Sequence, residues 1–173
     1  YDERTIPGGG SSTGVAFGPD GALYVTDWMN GPSDRGRIWK IDSSDGQDNP
    51  ARTRTSKLLA EGMAGKDESF LVACLAEPDF RVRKAAQFEL VRRRKKGSQA
   101  LLSVARKNES QLARLHGIWG IGQVARGWPD GKNKDVGAVA PLLELLKDKD
   151  REVRAQAAKV LGESAYPPAL QPL

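Results

Sequence analysis

The residues best suited by type and spacing to do chemistry in this 173-residue sequence fall into two groups. Asp27, Asn30 and Asp34 place oxygen donors three and four residues apart in one polar loop, the hard ligands that calcium or a substrate hydroxyl would take. Their spacing lacks the dense alternation of a dedicated calcium loop, and Asp27 reads equally well as an acceptor for loop N–H groups. Trp28 and Trp39 flank that loop, where they would stack on a sugar or pack a sheet. His116 has no second histidine, cysteine or carboxylate at ligand spacing, so a packing role is expected for it. The single cysteine, Cys74, lies on an apolar stripe with Leu71 and Leu75 and is expected in the core, with no internal disulfide to form.

The second group is cationic. Arg92, Arg93, Arg94, Lys95 and Lys96 form the densest charge run, expected in the last turn of a helix, where the negative end of the dipole favours cations. Such a run also suits an acidic protein or a phosphate. No aromatic interleaving or nucleic-acid motif accompanies it, so a protein partner is expected ahead of nucleic acid. Phe88 and Trp119 fall at the same position of successive repeats and, with the five cations, make up the candidate partner surface; packing between repeats is the competing explanation.

Positioning these groups is the work of a threefold echo. Val82-Arg83, Ala113-Arg114 and Val153-Arg154 are each followed by a small residue and then a large apolar one at successive intervals of four: Ala86 and Leu90, Gly117 and Ile121, Ala157 and Leu161. Each set therefore lies along one helical face. The arginines are 31 and 40 residues apart, and the longer interval contains the loop from Gly127 to Asp135. With two helices per unit, that period indicates an α-solenoid, in which hairpins bury their apolar faces only against neighbours. Expected helices run over 67–77 and 79–95, 98–107 and 110–126, and 136–147 and 149–164, with Asp67 and Asp79 as caps. The second copy has Glu109-Ser110 in place of the turn aspartate, so its cap should be weaker. Glycines 117, 120 and 122 in one helix imply close approach between helices, with Trp119 filling the space beside them. Arg83, Arg114 and Arg154 form a ladder at matching positions.

The first part has a different period. Gly14–Phe17, Gly18-Pro19-Asp20-Gly21 and Ala22–Asp27 read as strand, tight turn and strand, and Arg37–Ile41 alternates as a third strand. Such a sheet is marginal alone, because its edges are unpaired and its apolar face needs a cover. Residues 42–57 have almost no large apolar side chains and mark a domain boundary, and 42–66 are expected to be a linker. The expected organisation is thus a partial sheet over 1–41, a linker over 42–66, helical repeats over 67–164 and the start of a further repeat over 165–173.

The 27 Lys and Arg exceed the 22 Asp and Glu, giving a net charge of +5. Residues 1–57 hold seven basic and eight acidic side chains, so the excess belongs to the helices. No apolar run approaches the roughly 18 residues of a membrane span. The sequence begins at Tyr1 and reads as a fragment.

The Asp79-x-x-Val82-Arg83 and Asp150-x-Glu152-Val153-Arg154 turns resemble HEAT repeats of the phycocyanobilin-lyase-like kind. The resemblance to HEAT-like arrays implies that the ladder arginines pair with turn carboxylates of adjacent repeats, Asp79 and Asp150 among them, worth little per exposed pair. Residues 14–28 with Gly36-Arg37-Ile38-Trp39-Lys40-Ile41 resemble the last blade of a glucose/sorbosone dehydrogenase-type β-propeller, as in bacterial membrane-bound dehydrogenase-like proteins that join a propeller to HEAT repeats. The resemblance implies an extracytoplasmic parent, with pyrroloquinoline quinone and haem c as candidate cofactors there. None is expected in this fragment, which lacks a Cys-x-x-Cys-His motif.

A mainly α fold is expected, a HEAT-like solenoid of about three hairpins after a short antiparallel sheet. Its expected role is that of a non-catalytic protein-interaction or scaffold module. The alternative is a fragment of a quinone-dependent sugar dehydrogenase-like oxidoreductase whose catalysis lies in the missing propeller.

Overall fold

A computed structural model describes residues 11–28, 36–46 and 49–170. The chain divides into two compact units, 1–61 and 62–173. Asn30 and Asp34 lie outside the described residues, as does the side chain of Trp28.

In the first unit, β1 (Ser11–Phe17), β2 (Leu23–Trp28) and β3 (Arg37–Ile41) form an antiparallel sheet in the order β1-β2-β3. The turn after β1 forms because Gly21 takes φ 77° and the Asp20 carboxylate accepts from Ala22 N at 3.2 Å. Register aligns Val15, Val25 and Trp39 in one row and Phe17, Leu23 and Ile41 in the next row but one, so one face is apolar. On it Val25 is buried, whereas Val15, Phe17 and Ile41 remain exposed.

Within residues 42–66, expected as a linker, the structure has a helix, α1 (Pro50–Glu61), of 12 residues. Asn49 and Pro50, which look like a loop marker, act instead as a helix start. Asn49 Oδ1 accepts from Ala51 N at 2.9 Å, and proline suits the first helical position. Arg52 ties α1 to the sheet by donating to Asp20 O and Asp42 Oδ1, both at 2.8 Å.

The second unit comprises α2 (Glu68–Cys74), α3 (Phe80–Arg92), α4 (Lys95–Lys107), α5 (Gln111–Ala125), a 3-10 segment (Val136–Lys147), α6 (Arg151–Glu163) and a terminal 3-10 turn (Pro167–Leu170). All nine small or large apolar positions of the threefold echo are buried, and Cys74 joins them in the core. Gly117 explains its own presence: a Cβ there would stand 2.6 Å from Leu101 O and 2.8 Å from Ala105 N, so α4 and α5 meet backbone to backbone.

Three local expectations are corrected. Residues 136–147 are 3-10 rather than α-helical, since Pro141 within them lacks an N–H and its ring obstructs i→i−4 bonding. Asp67 precedes α2 but makes no side-chain cap; Asp79 and Asp150 do, accepting from Arg81 N and Glu152 N at 2.8 Å. Ser110 accepts from Ala113 N at a longer 3.3 Å, consistent with the weaker cap expected of the middle copy. Finally, Arg92–Lys96 does not close one helix. It spans the α3–α4 turn, with Arg93 as C-cap and Arg94 at φ 54°, ψ −124°.

Candidate protein-interaction surface

The ladder arginines bond chiefly to main chain, and they are more buried than expected. Arg83 Nη1 donates to Glu77 O at 2.6 Å and Pro78 O at 2.7 Å; Arg154 Nη1 donates to Asp148 O at 2.7 Å and Lys149 O at 3.2 Å; Arg114 Nε donates to Ala105 O at 2.9 Å. Arg83 and Arg154 thus serve carbonyls of the turn that precedes their own helix, and Arg114 serves one in the last turn of α4, which helix geometry leaves without an intrahelical partner. Neither Asp79 nor Asp150 is the partner. Asp79 binds Arg81, and Asp150 receives Gln111 Nε2 at 2.7 Å from the neighbouring hairpin. Asp148 is engaged by both Nη atoms of Arg114. That guanidinium holds the Asp148 carboxyl below its ordinary range.

A buried relay joins α3 to α5. Arg83 Nε, which can only donate, bonds His116 Nε2 at 3.2 Å, so the neutral ring carries its proton on Nδ1. Nδ1 donates to Gln87 Oε1 at 2.6 Å, and Gln87 Nε2 donates to Gln123 Oε1 at 2.8 Å. His116 is 4% exposed, and burial, reinforced by the Arg83 charge, lowers its pKa to about 4. The imidazole is a structural element of the stack, as expected.

Further bonds tie α5 to α6. Trp119 Nε1 donates to Gln156 Oε1 at 2.8 Å, and its ring meets His116 edge-on at 5.0 Å. Arg126 pairs with Glu163 at 3.1 Å on the surface. Trp119 is therefore engaged between repeats. Phe88 has a different ring partner, Trp128, at 4.6 Å. Lys84 Nζ lies 5.5 Å from the Phe88 centroid, and the Arg92 guanidinium lies 5.5 Å from that of Trp128, so two cations bracket the aromatic pair. Phe80, one turn before Lys84, is an exposed large apolar side chain on the same helix.

Sequence reasoning missed Trp128 because it stands in an inserted loop. The available signal was Gly127, which at φ 73° ends α5 in a Schellman turn: Gly127 N donates to Val124 O and Trp128 N to Gln123 O, both at 3.0 Å. That turn aims the chain back toward α3.

The charge run is not uniform. Arg92 pairs with Glu89, and Arg93 donates to Glu89 Oε1 at 3.1 Å and Lys66 O at 2.6 Å. Arg94 and Lys95 line a cleft of about 490 Å³ whose apolar floor includes Leu102, Ile121, Val124 and Pro141.

In the sheet, Asp27 is 5% exposed. Its Oδ2 accepts from Trp39 Nε1 at 3.3 Å, while Oδ1 has no hydrogen-bond partner among the described residues. Among the described residues, no three His, Cys, Asp or Glu side chains are grouped to hold a metal ion, and no helix is long and apolar enough to cross a membrane.

A family model described as HEAT repeats matches residues 98–173. The match covers α4, α5, the 3-10 segment and α6, the hairpins tied together by Arg114 and Trp119. No curated protein matches the chain.

Proposed function

We propose that this chain is a non-catalytic protein-interaction or scaffold module within a larger extracytoplasmic protein of propeller-plus-HEAT organisation. HEAT repeats generally serve protein–protein interaction, and the match over 98–173 supports that role here. The observation that carries the reading is the set of side-chain bonds between hairpins. They hold successive repeats in register, so outward-facing groups keep fixed spacings, which lowers the ordering cost of binding. The Lys84, Phe88, Trp128 and Arg92 cluster has the aromatic and arginine composition enriched at protein interfaces.

The experiment is photo-cross-linking in the native host, with a photoreactive residue at position 88 or 128 and a control at Ala155. Adducts with one defined protein from 88 and 128, absent from 155, are expected. Equal or no adducts at all three positions contradict the reading.

A second reading, a ligand contact within a quinone-dependent sugar dehydrogenase-like parent, is favoured by the buried Asp27 Oδ1, which lacks a donor among the described residues. The sequence has no Cys-x-x-Cys-His motif, so the residues present do not fit haem c. One orphaned carboxylate oxygen likewise falls short of a quinone site. Both cofactors would be held by other parts of the parent, and reading the flanking gene for further blades and a haem motif tests this.

A further inference from the structure

We propose that the cleft beside the start of α4 docks an acidic peptide segment carrying one large apolar side chain. The proposal rests on the protein-interaction reading and names the chemistry of its partner. The floor, formed by Leu102, Ile121, Val124 and Pro141, is apolar, and its volume of about 490 Å³ admits a large side chain with part of its neighbours.

Two cations, Arg94 and Lys95, line the cleft against one carboxylate, Asp135. Among the described residues, no carboxylate pairs with Arg94, Lys95 or Lys96, whereas Arg92 and Arg93 share Glu89. Lys95 and Lys96 also open α4, whose first turn contains no acidic residue. Cations there oppose the positive end of the helix dipole, and a carboxylate arriving in the cleft would meet Lys95 and the dipole favourably. Asp135 would repel the acidic groups of a ligand and so favour their placement beside Arg94 and Lys95.

Arg94 adds a third observation. Its φ of 54° with ψ −124° is a conformation suited to glycine, yet the residue is arginine and it lines the cleft. Folding alone would favour glycine at this turn. The cost is offset when the guanidinium meets a carboxylate beside an apolar anchor, since arginine forms bidentate pairs with carboxylates. A recessed floor selects a protruding side chain, so a peptide is favoured over a flat lipid surface.

The test is fluorescence anisotropy on the full chain with a labelled peptide of glutamates around a central leucine. Saturable binding is expected, weakened about tenfold or more by Arg94→Gly, while the melting temperature stays level or rises. Lys95→Glu should likewise weaken binding without lowering the melting temperature. Replacing the probe's leucine with alanine should weaken binding to a similar degree. The proposal is overturned if the probe fails to bind, if Arg94→Gly leaves its affinity unchanged, or if the alanine probe binds equally well. It is also overturned if Arg94→Gly abolishes sedimentation with phosphatidylserine vesicles but not peptide binding. Failure here with persisting cross-links from position 88 removes the cleft proposal alone; loss of those cross-links removes the broader reading.

Discussion

Arg83 of α3 donates its Nε–H to Nε2 of His116 in α5, 3.2 Å away across two successive hairpins, and the same guanidinium satisfies Glu77 O and Pro78 O. One side chain therefore serves both the turn between the two helices of its own hairpin and the neighbouring repeat. Replacing His116 with alanine strands Arg83 Nε–H and Gln87 Oε1 in the interior and opens a cavity. We expect a loss of about 3 kcal/mol in urea denaturation, with an unchanged helical spectrum under native conditions.

The same histidine makes stability depend on pH in a defined window. Its ordinary value of 6.5 falls to about 4 in the fold, chiefly through burial. Between those values the unfolded chain binds the proton and the folded one does not, so stability declines as pH falls from about 6.5 toward 4. Asp79, Asp148 and Asp150 are also held below 3.8, so their contributions are retained above that value and lost beneath it. Urea midpoints should fall between about pH 7 and pH 4.5 in the wild type. In His116→Gln the decline across that interval should be markedly flatter.

The two arginine–carboxylate pairs linking α5 to its successor should behave differently. Arg114 and Asp148 are largely shielded, and Arg114 also holds Ala105 O, so Arg114→Ala should cost about 3 kcal/mol or more. Arg126 and Glu163 have side chains 42% and 45% exposed, and Arg126→Ala should cost under about 0.5 kcal/mol. Paired denaturation curves check the contrast.

Ala165 ends α6 in the conformation that Gly127 adopts after α5: φ is 47°, Ala165 N donates to Gly162 O at 2.9 Å, and Tyr166 N donates to Leu161 O at 3.3 Å. Alanine is strained where glycine is not. Ala165→Gly should raise stability by about 0.5–1 kcal/mol, read as an increase in melting temperature.

These residues also mark what could be read from sequence. The Val82, Ala86 and Leu90 spacing and its two echoes identified the buried face because helical period and burial are local consequences of order along the chain. The partners of the arginines were less legible. Asp148 lies 34 positions beyond Arg114, on a turn whose placement depends on Pro141 tightening the preceding segment into a 3-10 helix. Arg92–Lys96 read as one patch because charge runs are visible in sequence, but the positive φ of Arg94 that divides it is not. Trp128 joined Phe88 only through the reversal at Gly127.

The central claim is that the arginine ladder and its relay couple the hairpins into one stack with a fixed outer surface. Native-state hydrogen exchange on the full chain tests it most directly. The amides of α3 and α5 should open together at a common free energy, and His116→Ala should speed exchange in both by a similar factor. Independent opening of the two helices, or an effect of His116→Ala confined to α5, would contradict it.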